Sequence, residues 1–381
     1  MKLEPFALER LQSIWENRVA WNLSESGVHP LRVEEVAGSA DERAAILAQE
    51  LGYGQTNGTP DLRSAIAALY PGATTDHILV TNGGSEANCV ALMHLIRPGD
   101  EVVMMAPNYM QAPGLVRALG GSLLPWRLAG GPDEGRWRMD LEALAALVTP
   151  RTRAIFICNP NNPTGARMTE ADLDEVCRIA SRNGAWVIAD EIYRGAELDG
   201  VETASAWGRY ERVLVTSGLS KAYGLPGLRI GWVMGPPALI DELWGVHDYT
   251  TIAPGVLSDR LARIALAPAK RELLIARTRG IVGANYPVVK RWIDRRRGLI
   301  SHVAPEAGAI VFIRYRHPIN SSTLIARLRE ERSLLVVPGD HFEMDGYLRL
   351  GFGSDPDYLN GALDLLGEFL DALPTSASDV P

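Results

Sequence analysis

The sequence predicts an α/β fold with a large domain built on a mostly parallel sheet and a smaller α+β domain. Short apolar runs, each closed by a polar or Gly/Pro cluster, alternate with stretches of helical spacing through the middle of the chain. The runs are apolar throughout, which is typical of parallel strands covered by helices on both faces. After about residue 265 this alternation gives way to basic helices and a few short strands.

The elements are predicted in this order. Residues 1–35 begin with a helix and continue as an irregular arm, NLSESGVHPLRVEEV. Amphipathic helices such as MTEADLDEVCRIASRNG, with an acidic start and a terminal glycine, separate the strands that follow. The predicted strands are HILV at 77–80, EVVMMA at 101–106, RAIFIC at 153–158, AWVIA at 185–189, RVLVT at 212–216 and LRIGWVM at 228–234.

The last third of the chain has a different pattern of helices and strands. LARIALAPAKRELLIARTRG predicts a basic helix that continues to about residue 297, and the tail PTSASDVP is predicted to be disordered. Strands are predicted at GAIVFIRY, SLLVVPG and YLRLGFG, with a helix between the first two and another at the end. We therefore expect an N-terminal helix and arm at 1–39 that joins the small domain, a large domain at 40–265 and a small domain at 266–381.

Composition excludes several classes of protein. The 381 residues suggest about two domains, and the formal charge of −8 argues against a nucleic-acid surface. The first residues lack the apolar core of a secretory signal, and no apolar run approaches the ~18–20 residues that span a bilayer. No metal-ligand spacing is found, and Cys89, Cys158 and Cys177 fit small buried hydrophobes in a reducing cytosol. We expect a soluble, cytoplasmic protein.

Chemically versatile side chains follow the predicted strands. PNYMQ follows EVVMMA, NPNNPTG follows RAIFIC, DEIYRG follows AWVIA, and SGLSKAYGLPGLR follows RVLVT. Ligands of open parallel sheets bind beyond the carboxyl ends of the strands, so these groups should converge. Together they suit an aromatic, anionic ligand that carries an aldehyde, such as pyridoxal 5′-phosphate (PLP).

Each group has a chemical reason to be there. Lys221 would form an imine with the aldehyde, and cationic neighbours would lower the pKa of its amine. Asp190 would pair with the ring nitrogen and keep it protonated, which makes the ring an electron sink. Tyr193 and Asn162 could donate hydrogen bonds to the ring oxygen, and Tyr109 could stack on the ring. Taken singly, these residues also fit ordinary roles, such as a surface lysine or a capped turn.

A phosphate cradle is predicted in HILVTNGGSEANCVALMHLI. This segment is typical of a strand, a glycine turn and a helix, so Gly83, Gly84 and Ser85 would present backbone N–H groups at a helix N-terminus. Ser220 and Arg229 would complete the cradle.

The segments LGYGQTNGTPDLR, TNGGSEAN, NPNNPTG, ADEIY, SGLSKAYGLPGLRIGW and YLRLGFG together resemble the class I/II aminotransferase family of fold-type I PLP enzymes. The resemblance runs from about residue 50 to 353 and includes the spacing of four residues. Asp190 follows Asn162 by 28 residues, Lys221 follows after 31 more and Arg229 after another 8. The resemblance implies a fold-type I PLP-dependent transferase.

The resemblance also implies the catalytic roles. Lys221 would hold PLP as a Schiff base and then move the proton of the substrate α-carbon. Asp190 would be the partner of the pyridinium nitrogen, and Tyr193 and Asn162 would contact the ring oxygen.

Further roles are implied for the outer parts of the site. Tyr109 would stack on the ring, and Arg349 would bind the substrate α-carboxylate through two hydrogen bonds. Tyr53 would reach the phosphate of a neighbouring subunit, so a homodimer with a shared active site is implied. The implied phosphate ligands are Gly84, Ser85, Ser220 and Arg229.

The arm departs from the family pattern. Many members carry a Gly-x-Pro-Asp type of segment where this chain has SESGVHPL. SESGVH, SKAYGLPGLR and the HDYTT segment at 247–251 resemble capreomycidine synthase-like members, which cyclise a hydroxylated arginine. Under this narrower resemblance Ser26, Gly27 and His29 are candidate substrate contacts.

Three functions follow from these patterns. The first is an aminotransferase that acts on an α-amino acid and a 2-oxo acid, and the alternative is a PLP-dependent cyclase or lyase of specialised amino-acid metabolism. A non-catalytic binding module is disfavoured because Lys221 is present. The substrate stays open: Arg32 and Arg194 are positional candidates for binding a dicarboxylate, whereas Glu25 and Glu34 would suit a guanidinium group or be solvated charges.

Overall fold

The computed structural model describes residues 2–373, so the tail PTSASDVP lies outside the described residues. The N-terminal region is mostly helical, and it contains one short strand within the predicted arm. Its elements are α1 (Ala7–Trp15), β1 (Trp21–Asn22), α2 (Val33–Val36), α3 (Ala40–Leu47) and α4 (Pro60–Ala67).

The middle of the chain alternates strands and helices, as the sequence predicts. Its elements are β2 (Ile78–Thr81), α5 (Gly84–Leu95), β3 (Glu101–Ala106), α6 (Gln111–Ala118), β4 (Ser122–Arg127), β5 (Ala129–Gly131), β6 (Arg136–Arg138), α7 (Leu141–Leu147), β7 (Thr152–Cys158), α8 (Glu170–Arg182), β8 (Trp186–Asp190), β9 (Val213–Gly218) and β10 (Gly231–Met234).

Seven of these strands form one sheet in the order β2-β10-β9-β8-β7-β3-β4. Every neighbouring pair is parallel except the two that involve β10, which is antiparallel to β2 and to β9. The predicted α/β fold class is confirmed. The sequence did not predict β4, because Pro125 interrupts its apolar pattern; a proline is tolerated there because β4 is an edge strand.

The sheet is buried on both faces because its strands are apolar at every position. In β3, Val103 and Met105 pack into the apolar cluster on one face, whereas Val102 and Met104 pack into the cluster on the other face. Successive side chains of a strand point to opposite faces of the sheet. A strand without polar residues therefore needs apolar partners on both faces. This double cover leaves the strand ends as the open part of the sheet.

The C-terminal third forms helices around a second, smaller sheet. Its elements are α9 (Pro237–His247), α10 (Val256–Leu266), α11 (Pro268–Asp294), β11 (Ile300–His302), β12 (Ile310–Tyr315), α12 (Ser321–Arg332), β13 (Leu334–Leu335), β14 (Val337–Pro338), β15 (Tyr347–Gly351) and α13 (Pro356–Asp371). The prediction of one continuous basic helix is wrong, because α10 ends at Leu266 and Ala267 separates it from α11. Pro268 lacks an N–H group and begins α11 instead.

The arm joins the small sheet region. The strand β1 pairs in parallel with β13, and Trp21 lies opposite Leu334. The chain then runs beside the end of β15, where Gly351 donates a backbone hydrogen bond to Leu23 and His29 donates one to Gly353. The small sheet itself is antiparallel, in the order β11-β12-β15-β14. The division at residues 39 and 265 stays a prediction.

Membrane spans, metal-binding clusters and cysteines were sought among residues 2–373. None of the helices there is long and apolar enough to cross a membrane. That part of the chain also contains no group of three or more His, Cys, Asp or Glu residues arranged to hold a metal ion. Cys158 and Cys177 are buried and Cys89 is half-buried, and all three are free thiols.

A buried ion pair connects α11 to the loop after β8. Glu197 is fully buried and accepts hydrogen bonds from Arg279 at 2.7 Å, from the backbone N–H of Gly195 at 3.0 Å and from that of Thr203 at 2.9 Å. Glu197→Ala removes the acceptor of all three donors. We predict that it lowers the free energy of unfolding, measured by urea denaturation, by about 3 kcal/mol.

Glu331→Ala is the matched control. Glu331 forms an exposed pair with Arg327 at 3.1 Å, and such pairs contribute less than about 1 kcal/mol. Equal losses in the two variants would show that the Glu197 contacts do not stabilise the fold as described.

Candidate active site

The carboxyl ends of the parallel strands surround a cavity of about 280 Å³, which we call the inner cavity. Asp190 ends β8, and the register places it between Cys158 at the end of β7 and Thr216 in β9. Lys221 follows β9 by three residues. The inner cavity is lined by Leu8, Glu9, Gln12, Glu16, Glu25, Ser26, Gly84, Ser85, Asn88, Tyr109, Cys158, Asn162, Asp190, Ile192, Tyr193, Ser220, Lys221, Pro226, Arg229 and Arg349.

Asp190 is held by neutral hydrogen-bond donors. Asn88 of α5 donates to one carboxylate oxygen at 2.8 Å, and the backbone N–H of Ile192 donates to the other at 3.1 Å. Thr216 donates to the amide oxygen of Asn88 at 2.6 Å and so fixes the orientation of that amide. Burial raises the pKa of Asp190 to about 6, although both hydrogen bonds act in the opposite direction. The charge of Lys221 also acts to lower this pKa, but no ion pair to the carboxylate is found among the residues that the structure describes.

Lys221 forms an ion pair with the arm. Its Nζ donates to Oε1 of Glu25 at 2.7 Å, and the same oxygen accepts the backbone N–H groups of Ser26 at 2.8 Å and Gly27 at 2.9 Å. Burial would raise the pKa of Glu25, but the charge of Lys221 and these hydrogen bonds outweigh it and lower the pKa to about 2. Glu25 is thus a fixed negative charge beside the amine.

The expectation that cationic neighbours lower the pKa of Lys221 is wrong for this arrangement. Burial and the charge of Arg349 do favour the neutral amine. The carboxylate of Glu25, together with Tyr193, outweighs them and raises the pKa of Lys221. The sequence pattern identified the cations of the site but not the carboxylate that contacts the amine.

The predicted phosphate cradle lies at the start of α5. Gly83 caps this helix with a φ of 93°, a conformation that favours glycine. A Cβ on Gly83 would come 2.5 Å from Nη2 of Arg229, so the guanidinium lies directly against the turn. Within the described part of the chain, the side chain of Arg229 forms only long hydrogen bonds, to the carbonyl oxygens of Pro226 at 3.3 Å and Asn82 at 3.4 Å. Its charge and the N–H groups of the turn are suited to an anion.

Three further predicted residues contact α1, the arm or the small sheet. Tyr109 donates to Glu9 at 2.7 Å, and Tyr193 donates to the hydroxyl oxygen of Ser26 at 2.9 Å. Burial raises the pKa of both phenols. Asn162 accepts a hydrogen bond from Arg349 at 3.0 Å, so its amide is tied to the small sheet.

Arg349 is a buried cation without a carboxylate partner among residues 2–373. Only 1% of its surface is exposed. One guanidinium nitrogen donates to Asn162, another donates to the carbonyl oxygen of Ser24 at 2.6 Å, and Nε has no partner in the described chain. Burial lowers the pKa of the guanidinium. An unpaired buried charge is costly, and a ligand carboxylate would offset that cost.

The structure brings most of the predicted site residues together. Eleven of them line the inner cavity, and Gly83 lies beside it against Arg229. The eleven are Ser26, Gly84, Ser85, Tyr109, Asn162, Asp190, Tyr193, Ser220, Lys221, Arg229 and Arg349. Glu25, which the sequence offers as a partner for a guanidinium group, lines the same cavity.

The other predicted residues lie outside the inner cavity. Gly27 and His29 line a second cavity of about 390 Å³, which we call the outer cavity. Tyr53 is 92% exposed on the surface, so its predicted contact with a neighbouring subunit stays a prediction. The outer cavity is lined by Glu16, Asn17, Asn22, Leu23, Glu25, Gly27, Val28, His29, Pro30, Pro226, Gly351, Gly353, Ser354 and Tyr358.

Sequence reasoning missed the polar face of α1 and one residue of α5. Glu9, Gln12 and Glu16 line the inner cavity, and their spacing of three and four residues places them on one helical face. That spacing was the available signal. Asn88 lies one turn after Gly84 in α5 and so also faces the site.

Comparison with known proteins identifies relatives of the whole chain. Residues 22–366 match the family model described as aminotransferase class I and II. The capreomycidine synthase of Streptomyces vinaceus is 33% identical over 354 residues, which are 92% of this chain and 89% of that protein. The aspartate aminotransferase of Streptomyces avermitilis is 30% identical over 329 residues, 81% of this chain and 79% of that protein.

Solved structures of PLP-dependent enzymes are also similar to this chain. A PLP-dependent aminotransferase from Streptococcus suis has a TM-score of 0.91 and 33% identity, and the match covers 99% of this chain and 100% of that one. The PLP-dependent cyclase OrfR has a TM-score of 0.87 and 27% identity, with 97% of this chain and 98% of that one covered. Relatives with two reaction types therefore share this fold.

The residues of the inner cavity fit PLP, the cofactor of these relatives. Asp190 is a buried carboxylate with only neutral donors, which a protonated ring nitrogen would complement. The turn at Gly83 and the guanidinium of Arg229 are suited to a phosphate group. Lys221 supplies an amine to the same cavity.

The raised pKa of Asp190 predicts a pH-dependent stability difference in the cofactor-free protein. The folded state favours the protonated carboxyl, so this contribution to stability is present below the unfolded pKa of 3.8 and is lost as the pH rises through about 6. Asp190→Asn cannot ionise. Between pH 4 and 7 its free energy of unfolding should therefore rise relative to the wild type by about 3 kcal/mol.

The variant Asp294→Asn is a control for which the stability difference from the wild type should change with pH in the opposite direction. The hydrogen bond from Lys290 lowers the pKa of Asp294, so the wild type should gain stability relative to this variant as the pH rises. Parallel curves for the wild type and Asp190→Asn would contradict the conclusion that burial raises the pKa of Asp190.

Proposed function

We propose that the chain, which belongs to the aminotransferase class I and II family, transfers the amino group of an α-amino acid to a 2-oxo acid, with PLP held at Lys221. The observation that carries this proposal is the buried guanidinium of Arg349, which shares the inner cavity with Lys221 and Asp190. A carboxylate-binding group, an amine and a cation-binding carboxylate then surround one cavity.

Arg349 would bind the α-carboxylate of the substrate. Its contacts with Asn162 and Ser24 fix the guanidinium plane, while Nε has no partner among the described residues. A planar guanidinium binds a carboxylate through two parallel hydrogen bonds, which fixes the orientation of the substrate as well as its position. The α-carbon would then lie at a defined position relative to the amine of Lys221.

Lys221 would move the proton of the α-carbon through its Nζ. Bound PLP supplies an electron sink for the negative charge that forms at that carbon. The carboxylate of Asp190 would balance the positive charge of the ring nitrogen, and Asn88 and Ile192 would hold that carboxylate in place. The phenol of Tyr193 and the amide of Asn162 would contact the ring oxygen.

The neighbouring subunit is also part of the proposal. Tyr53 is an exposed aromatic residue, and a phenol with that exposure is suited to a contact with a second copy of the chain. In the homodimer it would reach the phosphate end of the partner's site.

A cyclase or lyase is the second candidate. Supporting observations are the 33% identity to a capreomycidine synthase over 92% of the chain and the carboxylate of Glu25 at 2.7 Å from Lys221. Loss of a side-chain substituent requires a second proton transfer after the α-proton has been removed, and a second acid–base group beside the lysine could perform it. Under this candidate the nitrogen stays with the amino-acid skeleton.

Initial rates with two substrates distinguish the candidates. The holoenzyme is supplied with an α-amino acid and a 2-oxo acid, and both the new 2-oxo acid and the new amino acid are quantified. A transferase that handles its substrates in turn gives parallel lines in double-reciprocal plots. Intersecting lines, or a product that retains the α-nitrogen without any new 2-oxo acid, would contradict the aminotransferase.

Arg349→Lys tests the carboxylate contact in the same assay. A lysine keeps the charge but cannot form the paired hydrogen bonds, so kcat/KM should fall about 100-fold, mainly through a higher KM. Arg314→Lys on the neighbouring strand β12 is the matched control, because Arg314 pairs with Asp133 outside the cavity. An unchanged KM in Arg349→Lys would overturn its assigned role.

A further inference from the structure

The inner and outer cavities meet at two carboxylates. Glu16 and Glu25 line both cavities, together with Pro226. The remaining lining of the outer cavity is neutral apart from the exposed imidazole of His29. A substrate side chain that extends from the inner into the outer cavity therefore passes two carboxylates that line both.

Glu16 has no partner of its own. It lies half-buried at the C-terminal end of α1, and neither a hydrogen bond nor an ion pair to its carboxylate is found within residues 2–373. Burial and the nearby charges of Glu25 and Glu9 raise the pKa of Glu16. The group is thus held among like charges, an arrangement that a bound cation would stabilise.

Glu25 would lose its partner in the loaded enzyme. In the described structure its charge is balanced by the amine of Lys221 at 2.7 Å. That amine is the group that holds PLP, so the loaded enzyme leaves the carboxylate of Glu25 with only backbone N–H donors at Ser26 and Gly27. Before the substrate binds, neither Glu16 nor Glu25 then has a side-chain partner among the described residues.

The two arginines that line the inner cavity already have other proposed ligands. Arg229 lies at the phosphate cradle, and Arg349, whose guanidinium contacts Asn162, is the proposed carboxylate-binding group. The two arginines considered for a dicarboxylate substrate do not contribute: Arg32 pairs with Glu34 on the surface, and Arg194 pairs with Glu202. Neither lines the inner or the outer cavity.

We infer that Glu16 and Glu25 form the cation-binding end of the substrate pocket and select an α-amino acid whose side chain carries a positive charge. The inference rests on the proposed function, because it assumes that Arg349 binds the α-carboxylate of the same ligand. The unpartnered Nε of this buried arginine points to a carboxylate in that cavity independently of the acidic residues. A ligand with an acidic side chain is repelled at the junction of the cavities.

Binding of matched ligands to the PLP-loaded enzyme tests the inference. Arginine is compared with citrulline, its neutral analogue, and lysine with norleucine, by calorimetry without a 2-oxo acid. The cationic member of each pair should bind at least about tenfold more tightly, and aspartate should bind more weakly than either neutral analogue. Equal affinities within both pairs would overturn the inference.

The variant Glu16→Gln tests whether the preference for cationic side chains depends on Glu16. Because Glu16 has no described intramolecular partner, the change should leave the fold intact, and unchanged binding of citrulline would show this. Arginine binding should weaken about tenfold, the size of effect expected from the loss of one partly exposed ion pair. Glu34→Gln, which changes an exposed carboxylate of the same arm, should leave both affinities unchanged. An unchanged arginine affinity in Glu16→Gln would also overturn the inference.

Product analysis of the same samples separates the two proposals. If arginine binds through Glu16 but no amino acid yields a 2-oxo acid, the cation-binding site is supported and the aminotransferase fails. If neutral amino acids bind as tightly as cationic ones and are converted to 2-oxo acids, the aminotransferase is supported and the cation-binding site fails.

Discussion

The hydrogen bonds that hold Asp190 depend on the parallel alignment of β7, β8 and β9. The register places Asp190 beside Thr216, and Thr216 orients Asn88, which donates to the carboxylate from α5. A shift of one residue in β8 would turn Asp190 toward the other face of the sheet. The position of a buried carboxylate, and with it the orientation of an aromatic cofactor, is therefore fixed by backbone pairing in the large sheet.

The arm determines the charge of the site, although it lies far from the site in sequence. Pairing of β1 with β13 carries the chain past β15 and brings Glu25 to Lys221. The same region supplies Ser24, whose carbonyl oxygen holds Arg349. One short parallel pair thus places both a carboxylate beside the amine and an acceptor beside the carboxylate-binding group.

Sequence patterns could predict the parts of the structure that depend on local repetition. Uninterrupted apolar runs predicted the central strands, and the order of polar groups after them predicted which side chains would meet. The edge strand β4 was missed because Pro125 breaks its pattern, and the end of α10 was missed because helical spacing continues past Pro268. Glu9 and Glu16 were missed because nothing local connects α1 to strand ends that lie more than a hundred residues away, apart from their own helical spacing.

The most direct test of the account is to locate the cofactor on the chain. The sequence has only four lysines: Lys2, Lys221, Lys270 and Lys290. Lys270 donates to the backbone of Glu35 and Lys290 pairs with Asp294, both outside the cavity. Borohydride reduction of the PLP-loaded protein would make the bond between PLP and the lysine permanent. Peptide mass mapping would then identify the modified lysine. We expect the added mass on Lys221 alone. A label on another lysine, or no label at any lysine, would contradict the conclusion that Lys221 holds PLP.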